Sequence, residues 1–295
     1  MKIAAVQMVS TPDVERNLDA ARRLVAQAAA DGAQLAALPE YFCLLGRSDR
    51  DKLRIAERPG DGPIQQQLSQ LARKHSLWLI GGTLPMRIEG DPEHVLNACC
   101  VFAPDGSQRA RYDKMHLFGF DNGREHYDEA RVLRAGHEVV AFDLAPAPDV
   151  VAGQLRVGLS ICYDLRFPEL YRALGNGPAA SLAPDSGPPV GGRLAGAPCD
   201  LIAVPSAFTF TTGQAHWELL LRARAVENQA YVIAPAQGGQ HENGRRTWGH
   251  SMIVDPWGEV LACQPTGEGV VTAELDRARL AAVRRQLPAL AHRRI

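Results

Sequence analysis

Two hydrophobic periods interleave along the chain. Short runs that alternate or stay apolar predict strands, and longer runs with apolar residues three or four apart predict helices with one buried face. The predicted strands cover 2–8, 33–40, 77–84, 155–162, 200–207, 230–236, 249–255, 259–264 and 270–275. Helices are predicted at 11–32, 64–76, from Pro168 onward and at 215–229, and a hairpin at 95–112. Strands mixed with helices throughout indicate a layered α/β or α+β fold.

Two segments depart from this alternation. Residues 175–198 contain eleven glycines and prolines among 24 residues and no apolar period, which predicts a surface excursion. A domain boundary is the alternative, although strands of the same kind resume directly afterwards. The tail at 277–295 carries six arginines. We interpret it as a solvated helix face with an arm over a neighbouring subunit, because nucleic-acid binding favours interleaved aromatics, which are missing.

Composition narrows the class of protein. The chain of 295 residues is 46% hydrophobic and 22% charged with a net charge of −1, so no overall field attracts nucleic acid or an anionic membrane. No apolar run reaches the roughly 18 residues that span a bilayer, and the N-terminus is typical of a strand, so we expect a cytoplasmic protein. Six cysteines without a C-x-x-C pair predict free thiols, and the nine histidines show no metal-binding spacing.

The stretch "RVGLSICYDLRFPEL" at 156–170 raises the question of chemistry. Odd-numbered positions from Leu155 to Ile161 are apolar, and the alternation stops at Cys162, before Pro168 opens a helix. A cysteine at the end of a buried strand is either a packing residue or a nucleophile. Buried free cysteines are common, so this stretch alone does not decide.

Three charged residues are candidates to act with such a cysteine. Glu40 follows the buried run "LAALP", where desolvation would raise its pKa toward that of a general base; a solvated loop glutamate is the alternative. Lys114, in "YDKMHLF", would stabilise a nearby thiolate by about 4 kcal/mol at about 4 Å and an effective dielectric of about 20, and the same group could hold an oxyanion. A lysine whose ammonium extends from a strand edge into solvent is the alternative. Glu129 lies in a charged segment, where a surface salt bridge explains it equally well.

Two other catalytic arrangements are available. Ser160 lies in "GLSIC", which half-resembles the G-x-S-x-G motif, but the final glycine is missing and the serine lies inside the alternating strand. We therefore discount it. His116, His216 or His250 could serve as a base, so a Cys–His pair stays open.

Together, three motifs resemble the nitrilase, or carbon–nitrogen hydrolase, superfamily: "LPEYF" at Glu40, "YDKMHLF" at Lys114 and "GLSICYDLRFPELYR" at Cys162. Their order and spacing match, and the resemblance extends over essentially the whole chain. The stretches "SAFTFTTGQAHWELLLRARAVENQAYVIAPAQ" and "GRRTWGHSMIVDPWGEVLA" resemble the Nit branch, which includes ω-amidases and deaminated-glutathione amidases.

The resemblance implies an α+β fold, a four-layer α-β-β-α sandwich. It implies a single carbon–nitrogen hydrolase domain over residues 1–295, in which 175–198 is a Gly/Pro-rich surface insertion. Members of the family usually dimerise so that the layers stack across the interface. We therefore expect a homodimer or a higher homo-oligomer.

The resemblance also implies roles for individual residues. Cys162 attacks the substrate, Glu40 is the general base and acid, and Lys114 stabilises the tetrahedral intermediate. Glu129 matches a second glutamate that orients the lysine and substrate, although its neighbourhood departs from the common pattern. The backbone N–H of Tyr163 would donate to the oxyanion.

Substrate recognition is predicted from three further residues. Arg166, four residues past the cysteine, could meet a substrate carboxylate with two hydrogen bonds. A structural pair with Asp164 or Glu169 is the alternative. The resemblance implicates Phe208 and Thr212, in "FTFTT", as lining the same pocket.

The predicted activity is hydrolysis of the carboxamide of a small keto-acid amide, of the deaminated-glutathione or α-ketoglutaramate type, through a thioester. No metal or organic cofactor, nucleic acid or membrane is expected to take part. Nitrile or N-carbamoyl hydrolysis is the alternative within the fold. Alternatives of another class are a non-catalytic interaction module and a partner-dependent module that hydrolyses glutamine.

Overall fold

The structure is a computed structural model that describes residues 1–144, 154–175 and 197–294. Apart from its two ends, the predicted insertion at 175–198 therefore lies outside the described residues, and its surface location stays a prediction. None of the helices in the described ranges is both long and apolar enough to cross a membrane.

Strands occur throughout the described chain. In the first half they are β1 (Lys2–Gln7), β2 (Leu35–Ala37), β3 (Trp78–Ile80), β4 (Leu84–Ile88), β5 (Asp91–Phe102), β6 (Gln108–Asp113), β7 (Gly119–Asp121), β8 (His126–Asp128), β9 (Leu133–Arg134) and β10 (Ala141–Leu144). In the second half they are β11 (Leu155–Leu159), β12 (Leu201–Ala203), β13 (Tyr231–Ala234), β14 (Gly238–Gln240), β15 (Arg246–Trp248), β16 (Ser251–Val254), β17 (Val260–Gln264) and β18 (Gly269–Glu274). The α-helices are α1 (Val14–Ala30), α2 (Asp51–Ile55), α3 (Pro63–His75), α4 (Pro168–Leu174), α5 (Phe210–Asn228) and α6 (Arg277–Gln286).

Two mixed sheets contain most of these strands. The first has the order β18-β1-β2-β3-β5-β4, and β6 and β9 also pair with β5. The second has the order β10-β11-β12-β13-β16-β17. In each sheet three neighbouring strands are parallel, β1-β2-β3 in the first and β11-β12-β13 in the second. The remaining strands form two small ribbons, β7-β8 and β14-β15.

The side chains of β1 show how the layers stack. Ala4 and Val6 pack with the apolar face of α1 and with α3, whereas Ile3 and Ala5 belong to the core that contains the second sheet. Helices α4 and α5 also pack on this second sheet. Alternate side chains of a strand point to opposite faces, so the order of layers is helix, sheet, sheet, helix. The predicted α-β-β-α sandwich is confirmed.

The helix ends follow from local chemistry. The carboxylate of Asp13 accepts from the Arg16 N–H at 3.2 Å, so Asp13 caps α1. Helix α5 begins five residues earlier than the predicted 215, because the Thr209 hydroxyl accepts from the Thr212 N–H at 3.3 Å. The last three residues of "FTFTT" are therefore the start of a helix.

The basic tail binds its own chain more than predicted. Helix α6 is capped by Asp276, and Arg284 donates to Asp200 at 2.8 Å and to the Cys199 carbonyl at 2.6 Å. Arg279 lies 3.1 Å from Asp255. These arginines dock the helix onto the second sheet, so the interpretation of the tail at 277–295 as a solvated helix face is wrong for Arg279 and Arg284. The arm over a neighbouring subunit stays a prediction.

The strand predicted over 77–84 is in fact two strands, β3 and β4, separated at Gly82. Gly82 has a φ of +58°, and a Cβ there would lie 2.3 Å from the carbonyl oxygen of Pro39. The break between the strands is therefore required by the backbone of a distant segment, the one that carries Glu40. The residues next to Gly82 in the sequence do not indicate this constraint.

We expect Gly82→Ala to lower the free energy of unfolding by about 3 kcal/mol, from left-handed strain and overlap with backbone. Gly90→Ala is the matched control, because Gly90 has a similar φ of +78° but nothing within 4 Å of a Cβ. It should cost only about 1 kcal/mol. Denaturant unfolding measures both, and equal losses would contradict the argument.

Candidate active site

Each candidate catalytic residue comes directly or within three residues after a strand. Glu40 follows β2 and Lys114 follows β6, both in the first sheet, while Cys162 follows β11 in the second. The backbone at Ala207, just beyond β12, completes the group because its N–H donates to Glu40 Oε2 at 3.0 Å. Both sheets therefore contribute to one site.

The turn after β2 fixes Glu40. Tyr41 has a φ of +57°, and its N–H donates to the Thr83 hydroxyl at 2.8 Å. The Glu40 carbonyl accepts from the Gln237 side-chain amide at 3.0 Å. Side chain and backbone are thus held on a rigid scaffold.

Glu40 is 1% exposed, and its carboxylate accepts hydrogen bonds from side chains that are themselves buried. Oε1 accepts from Asn97 Nδ2 at 2.9 Å and from Lys114 Nζ at 2.9 Å. Burial raises the pKa of Glu40, the charge of Glu129 raises it further, and Lys114 opposes both. The carboxylate is therefore a stronger proton acceptor than a solvated glutamate, as a general base needs to be.

Lys114 is shared between two carboxylates. Its fully buried Nζ donates to Glu40 Oε1 at 2.9 Å and to Glu129 Oε1 and Oε2 at 3.0 and 2.8 Å. Burial alone would lower the pKa of Lys114, but Glu129, Glu40 and Cys162 outweigh it and hold the pKa well above its usual value. The ammonium stays charged and fixed in place.

Glu129 is part of the site and not of a surface salt bridge. Its carboxylate accepts from the Phe118 N–H and from the Tyr41 hydroxyl, both at 2.7 Å. Burial would raise its pKa, but Lys114 and these two donors keep the pKa below its usual value. Glu129 therefore stays ionised and orients the ammonium of Lys114.

These charges predict a pH profile. Glu40 must be ionised to accept a proton, and its pKa is raised above 4.5, so the acid limb of kcat/KM should lie above pH 4.5. Glu129→Gln removes a negative charge that raises the pKa of Glu40, so the acid limb should move to lower pH. The control Glu218→Gln, on the exposed face of α5, should leave it in place. An upward shift with Glu129→Gln would contradict this ordering of charges.

Cys162 occupies a strained position in the turn after β11. Its φ is +50°, and its N–H donates to the Pro205 carbonyl at 3.0 Å. The charges of Glu40 and Lys114 both act on the thiol. Burial and the charge of Glu40 raise the pKa of Cys162 well above its usual value, although Lys114 opposes them. The resting residue is a neutral thiol next to a base.

Asp164 joins the two halves of the site. Its buried carboxylate accepts from the Tyr112 hydroxyl at 2.7 Å and from the Ile161 N–H at 2.9 Å. It also accepts from the backbone N–H of His116 at 3.0 Å. One side chain thus fixes both the segment after Lys114 and the turn that carries Cys162.

A cleft opens over the predicted catalytic triad, which consists of Glu40, Lys114 and Cys162. Most of the residues that line this cleft were not predicted. Its wall is formed by Glu40, Tyr41, Leu45, Asp49, Lys52, Phe118, Tyr127, Asp128, Glu129, Cys162, Ala207, Thr209, Arg245, Arg246 and Thr247. Phe208 and Thr212 do not line it. Phe208, which precedes α5, packs on Trp217 with ring centroids 4.8 Å apart, and Thr212, in the first turn of α5, bonds to Thr209 at 2.9 Å.

Arg166 does not line the cleft and lies over the rings of Tyr163 and Phe208. Its guanidinium carbon is 5.8 Å from the centroid of the Tyr163 ring and 5.5 Å from that of Phe208. Its Nη1 is 3.2 Å from His216 Nδ1. Asp164, one of its two predicted ion-pair partners, is instead bound by Tyr112, Ile161 and His116.

The alternative catalytic groups are engaged elsewhere. The Ser160 hydroxyl donates to the Ala203 carbonyl at 2.9 Å inside the sheet. His116 bonds to Asp164 at 2.7 Å, and His250 stacks on Trp248. The base next to the thiol is therefore a carboxylate. Across the described ranges, no three His, Cys, Asp or Glu side chains are grouped as metal ligands would be.

Sequence reasoning missed Asn97, Asp164 and the cleft cations. Asn97 had a signal, as the one polar side chain in the apolar run "VLNACCVF". Asp164 had a weaker one, since it follows the candidate nucleophile by two residues. Lys52 and Arg245 had none, because each lies in a charged segment typical of a solvated loop.

Known proteins similar to this chain share its family and its fold. The model of the family described as carbon-nitrogen hydrolase matches residues 2–285. A deaminated glutathione amidase of Synechocystis sp. is 38% identical over 294 residues, which cover 98% of this chain and 97% of that protein. The human omega-amidase NIT2 is 35% identical, covering 99% and 95%. Nit3 of Saccharomyces cerevisiae, a member of branch 10 of the nitrilase superfamily, superposes with a TM-score of 0.79 at 30% identity, covering 100% and 97%.

The sequence match extends over nearly the whole chain, and the fold agrees over the same length. The resemblance drawn from the three motifs is thereby confirmed. The chain belongs to the carbon–nitrogen hydrolase family, whose members hydrolyse carbon–nitrogen bonds, and within it to the Nit branch of the nitrilase superfamily.

Proposed function

We propose that the chain is a cysteine-dependent amidase that hydrolyses the carboxamide of a small keto-acid amide through a thioester intermediate. One observation carries this proposal: the buried thiol of Cys162 and the carboxylate of Glu40 face the same cleft, and that carboxylate accepts from the ammonium of Lys114 at 2.9 Å. A nucleophile, a base and an electrophilic group therefore meet at one point, which is the minimum that acyl transfer needs.

The first half-reaction forms the thioester. Glu40 accepts the thiol proton as the sulfur attacks the amide carbon. The ammonium of Lys114 and the Tyr163 N–H hold the oxyanion that forms. Glu40 then gives the proton to the leaving nitrogen, the carbon–nitrogen bond breaks, and the amine departs.

The second half-reaction releases the acid. Glu40 takes a proton from water, and the resulting hydroxide attacks the thioester carbon. The same donors hold the second oxyanion, and its collapse breaks the carbon–sulfur bond. The proton on Glu40 returns to the sulfur, so the neutral thiol is restored. Glu129 keeps Lys114 in position through both steps.

The substrate class rests on the relatives and on Arg166. A deaminated glutathione amidase and an omega-amidase are among the similar proteins. Deaminated glutathione and α-ketoglutaramate share an acyl portion with a distal α-keto carboxylate. Arg166, beside Tyr163, offers a planar fork that suits a carboxylate. We assign it to the carboxylate of the acyl portion.

A panel of substrates tests the proposal. Purified enzyme is incubated with α-ketoglutaramate, deaminated glutathione, a nitrile and an N-carbamoyl amino acid, and acid, ammonia or amine release is measured. We expect turnover of the keto-acid amides. Faster turnover of the nitrile or the carbamoyl compound would assign the chain to the alternative chemistry. Turnover that requires an added partner protein would support a partner-dependent module.

Mass spectrometry tests the intermediate separately. A mass increase equal to the acyl portion, mapped to the peptide that contains Cys162, is expected during turnover. A wild-type protein that neither turns over nor acylates would favour the non-catalytic interaction module. The complete set of Glu40, Lys114 and Cys162 argues against that alternative.

We also propose a homodimer or a higher homo-oligomer. An apolar patch on α5 and the β16–β17 hairpin supports it: Leu219, Val226, Trp257 and Leu261 are 68%, 48%, 55% and 39% exposed. Leu219 and Val226 lie two turns apart on one helix face, a pattern that pairs with a second copy. Sedimentation of the wild type and of Leu219→Glu tests this, and a wild type that sediments as a monomer would contradict it.

The compartment is proposed to be the cytoplasm. All six cysteines are free, and five of them are buried. Free thiols are typical of proteins kept in a reducing environment. Fractionation of the producing cells is the test.

A further inference from the structure

All three N–H bonds of the Lys114 ammonium are used in the resting site. An ammonium has three donors, and here they match three acceptors: Glu40 Oε1 at 2.9 Å, and Glu129 Oε1 and Oε2 at 3.0 and 2.8 Å. The proposed function gives this ammonium a further task, because it must also donate to the oxyanion. One N–H therefore has to leave its carboxylate oxygen when the oxyanion forms.

The carboxylate of Glu129 can release one of these N–H bonds. Each of its oxygens also accepts from a neutral group: Oε1 from the Tyr41 hydroxyl and Oε2 from the Phe118 N–H, both at 2.7 Å. If the N–H on Oε1 turns away, the ion pair with Lys114 persists through Oε2. Oε1 then still accepts from Tyr41. This matters because only 14% of the Glu129 side chain is exposed, where an oxygen without a donor is costly.

The Tyr41 hydroxyl is fixed in place and keeps its proton. Tyr41 is mostly buried, and its φ of +57° lies in the left-handed region, where its N–H donates to the Thr83 hydroxyl at 2.8 Å. Lys52 lies over the ring, 4.9 Å from the centroid. Burial and the charges of Glu129 and Glu40 raise the pKa of Tyr41 well above its usual value. The hydroxyl is therefore a permanent donor to Glu129, at the short distance typical of an ionised acceptor.

We propose that Tyr41 is a positioning residue that allows Lys114 to turn one N–H from Glu129 to the oxyanion. As the sulfur–carbon bond forms, the thiol proton passes to Glu40, and an electron pair of the C=O bond moves onto the substrate oxygen. The N–H that pointed at Glu129 Oε1 then turns to this oxygen, and the Tyr41 hydroxyl alone holds Oε1. The inference rests on the proposed function, in which Lys114 stabilises the oxyanion.

Tyr41→Phe tests the inference, because it removes the hydroxyl and keeps the ring that contacts Lys52. In the resting variant Glu129 Oε1 still accepts from Lys114, so the protein should stay folded, which denaturant unfolding checks. We expect kcat for the keto-acid amide that the wild type turns over fastest to fall about tenfold or more, the order of a lost charged hydrogen bond. KM should stay within about twofold, because the missing bond matters only once the oxyanion forms.

Alkylation of Cys162 by iodoacetamide separates this role from a merely structural one. In that reaction the sulfur displaces iodide from a saturated carbon while Glu40 accepts the thiol proton, and no oxyanion forms. Tyr41→Phe should therefore alkylate Cys162 within about twofold of the wild-type rate. Mass spectrometry of the peptide that contains Cys162 measures this rate. A displaced base or a distorted turn would slow alkylation and amide turnover together.

Tyr231→Phe is the matched control. Tyr231 is also buried, at the start of β13, and it does not line the cleft. Its hydroxyl donates to the Asp276 carbonyl at 3.2 Å and accepts from the Asp276 N–H at 3.1 Å. The control thus loses the hydrogen bonds of a buried tyrosine hydroxyl, and its kcat and its rate of Cys162 alkylation should stay within about twofold of the wild type.

The outcomes distinguish this inference from the proposed function. Wild-type kcat in Tyr41→Phe would show that Lys114 takes the N–H from Glu40 instead, and would overturn the inference. Equal losses in turnover and in alkylation, or a rise in KM that accounts for the whole loss, would overturn it as well. These results leave the amidase proposal intact, because the wild type turns over the amide. A wild type that turns over no amide would overturn the proposed function, and the inference would fall with it.

Discussion

Replacing Cys162 by alanine is expected to lower kcat by at least about 10⁴-fold while the protein stays folded. The nucleophile and its base act as a unit, so loss of either removes nearly all covalent catalysis. The thiol sits in a turn whose backbone is fixed by Pro205, which alanine leaves in place. Amide turnover and the denaturant midpoint are measured on the same preparation.

A second free cysteine provides the control. Cys263 is only partly buried, on β17, and Cys263→Ala should keep wild-type kcat. Iodoacetamide inactivation should track alkylation of Cys162 in both the wild type and this variant. More than trace activity in Cys162→Ala, or inactivation that follows another cysteine, would assign the chemistry elsewhere.

Lys114→Met is expected to damage both catalysis and stability. Loss of an oxyanion donor costs about 10²–10³-fold in kcat, and the base is misplaced as well. Glu40 and Glu129 would then share a buried site without their common cation. Breaking such a buried pair costs about 3–5 kcal/mol. Steady-state kinetics and denaturant unfolding measure the two losses.

The double variant tests whether the residues act together. Adding Glu40→Gln to Lys114→Met should reduce kcat little further, because the unit is already broken. It should recover part of the lost stability, because one buried carboxylate is removed. Lys74→Met, an exposed lysine at the end of α3, is the control for a lost ammonium and should change neither quantity. Losses in kcat that multiply would show that the two residues act independently.

The local pattern of hydrophobic and polar residues was enough to predict the main elements that position the site. The strands before Glu40 and Cys162 were recognisable from their periods, and the triad from three contiguous motifs. The break at Gly82 was not recognisable in the sequence. The group that excludes a side chain there is the Pro39 carbonyl, which is 43 positions away in the printed sequence. The ribbons β7-β8 and β14-β15 and the short helix α2 were also missed, since each is short and polar.

The cleft illustrates the limit of sequence reasoning more sharply. Phe208 and Thr212 were assigned to the pocket by resemblance. Instead, Phe208, just before α5, packs on Trp217 in the core, and Thr212, in the first turn of α5, bonds to Thr209. Lys52 and Arg245 look like solvated charges in the sequence. They reach one carboxylate only because segments nearly 200 residues apart meet over the triad, as the Arg245–Asp49 separation of 196 shows.

The contribution of both sheets to one site has a consequence for refolding. The contact between Glu40 and the Ala207 N–H joins residues 167 positions apart and crosses from one sheet to the other. Contacts of such long range form late, after local structure, because their loops are costly to close. A half-formed molecule with one ordered sheet would thus have native-like circular dichroism and no turnover. The return of activity during refolding therefore measures the rate at which the two sheets dock.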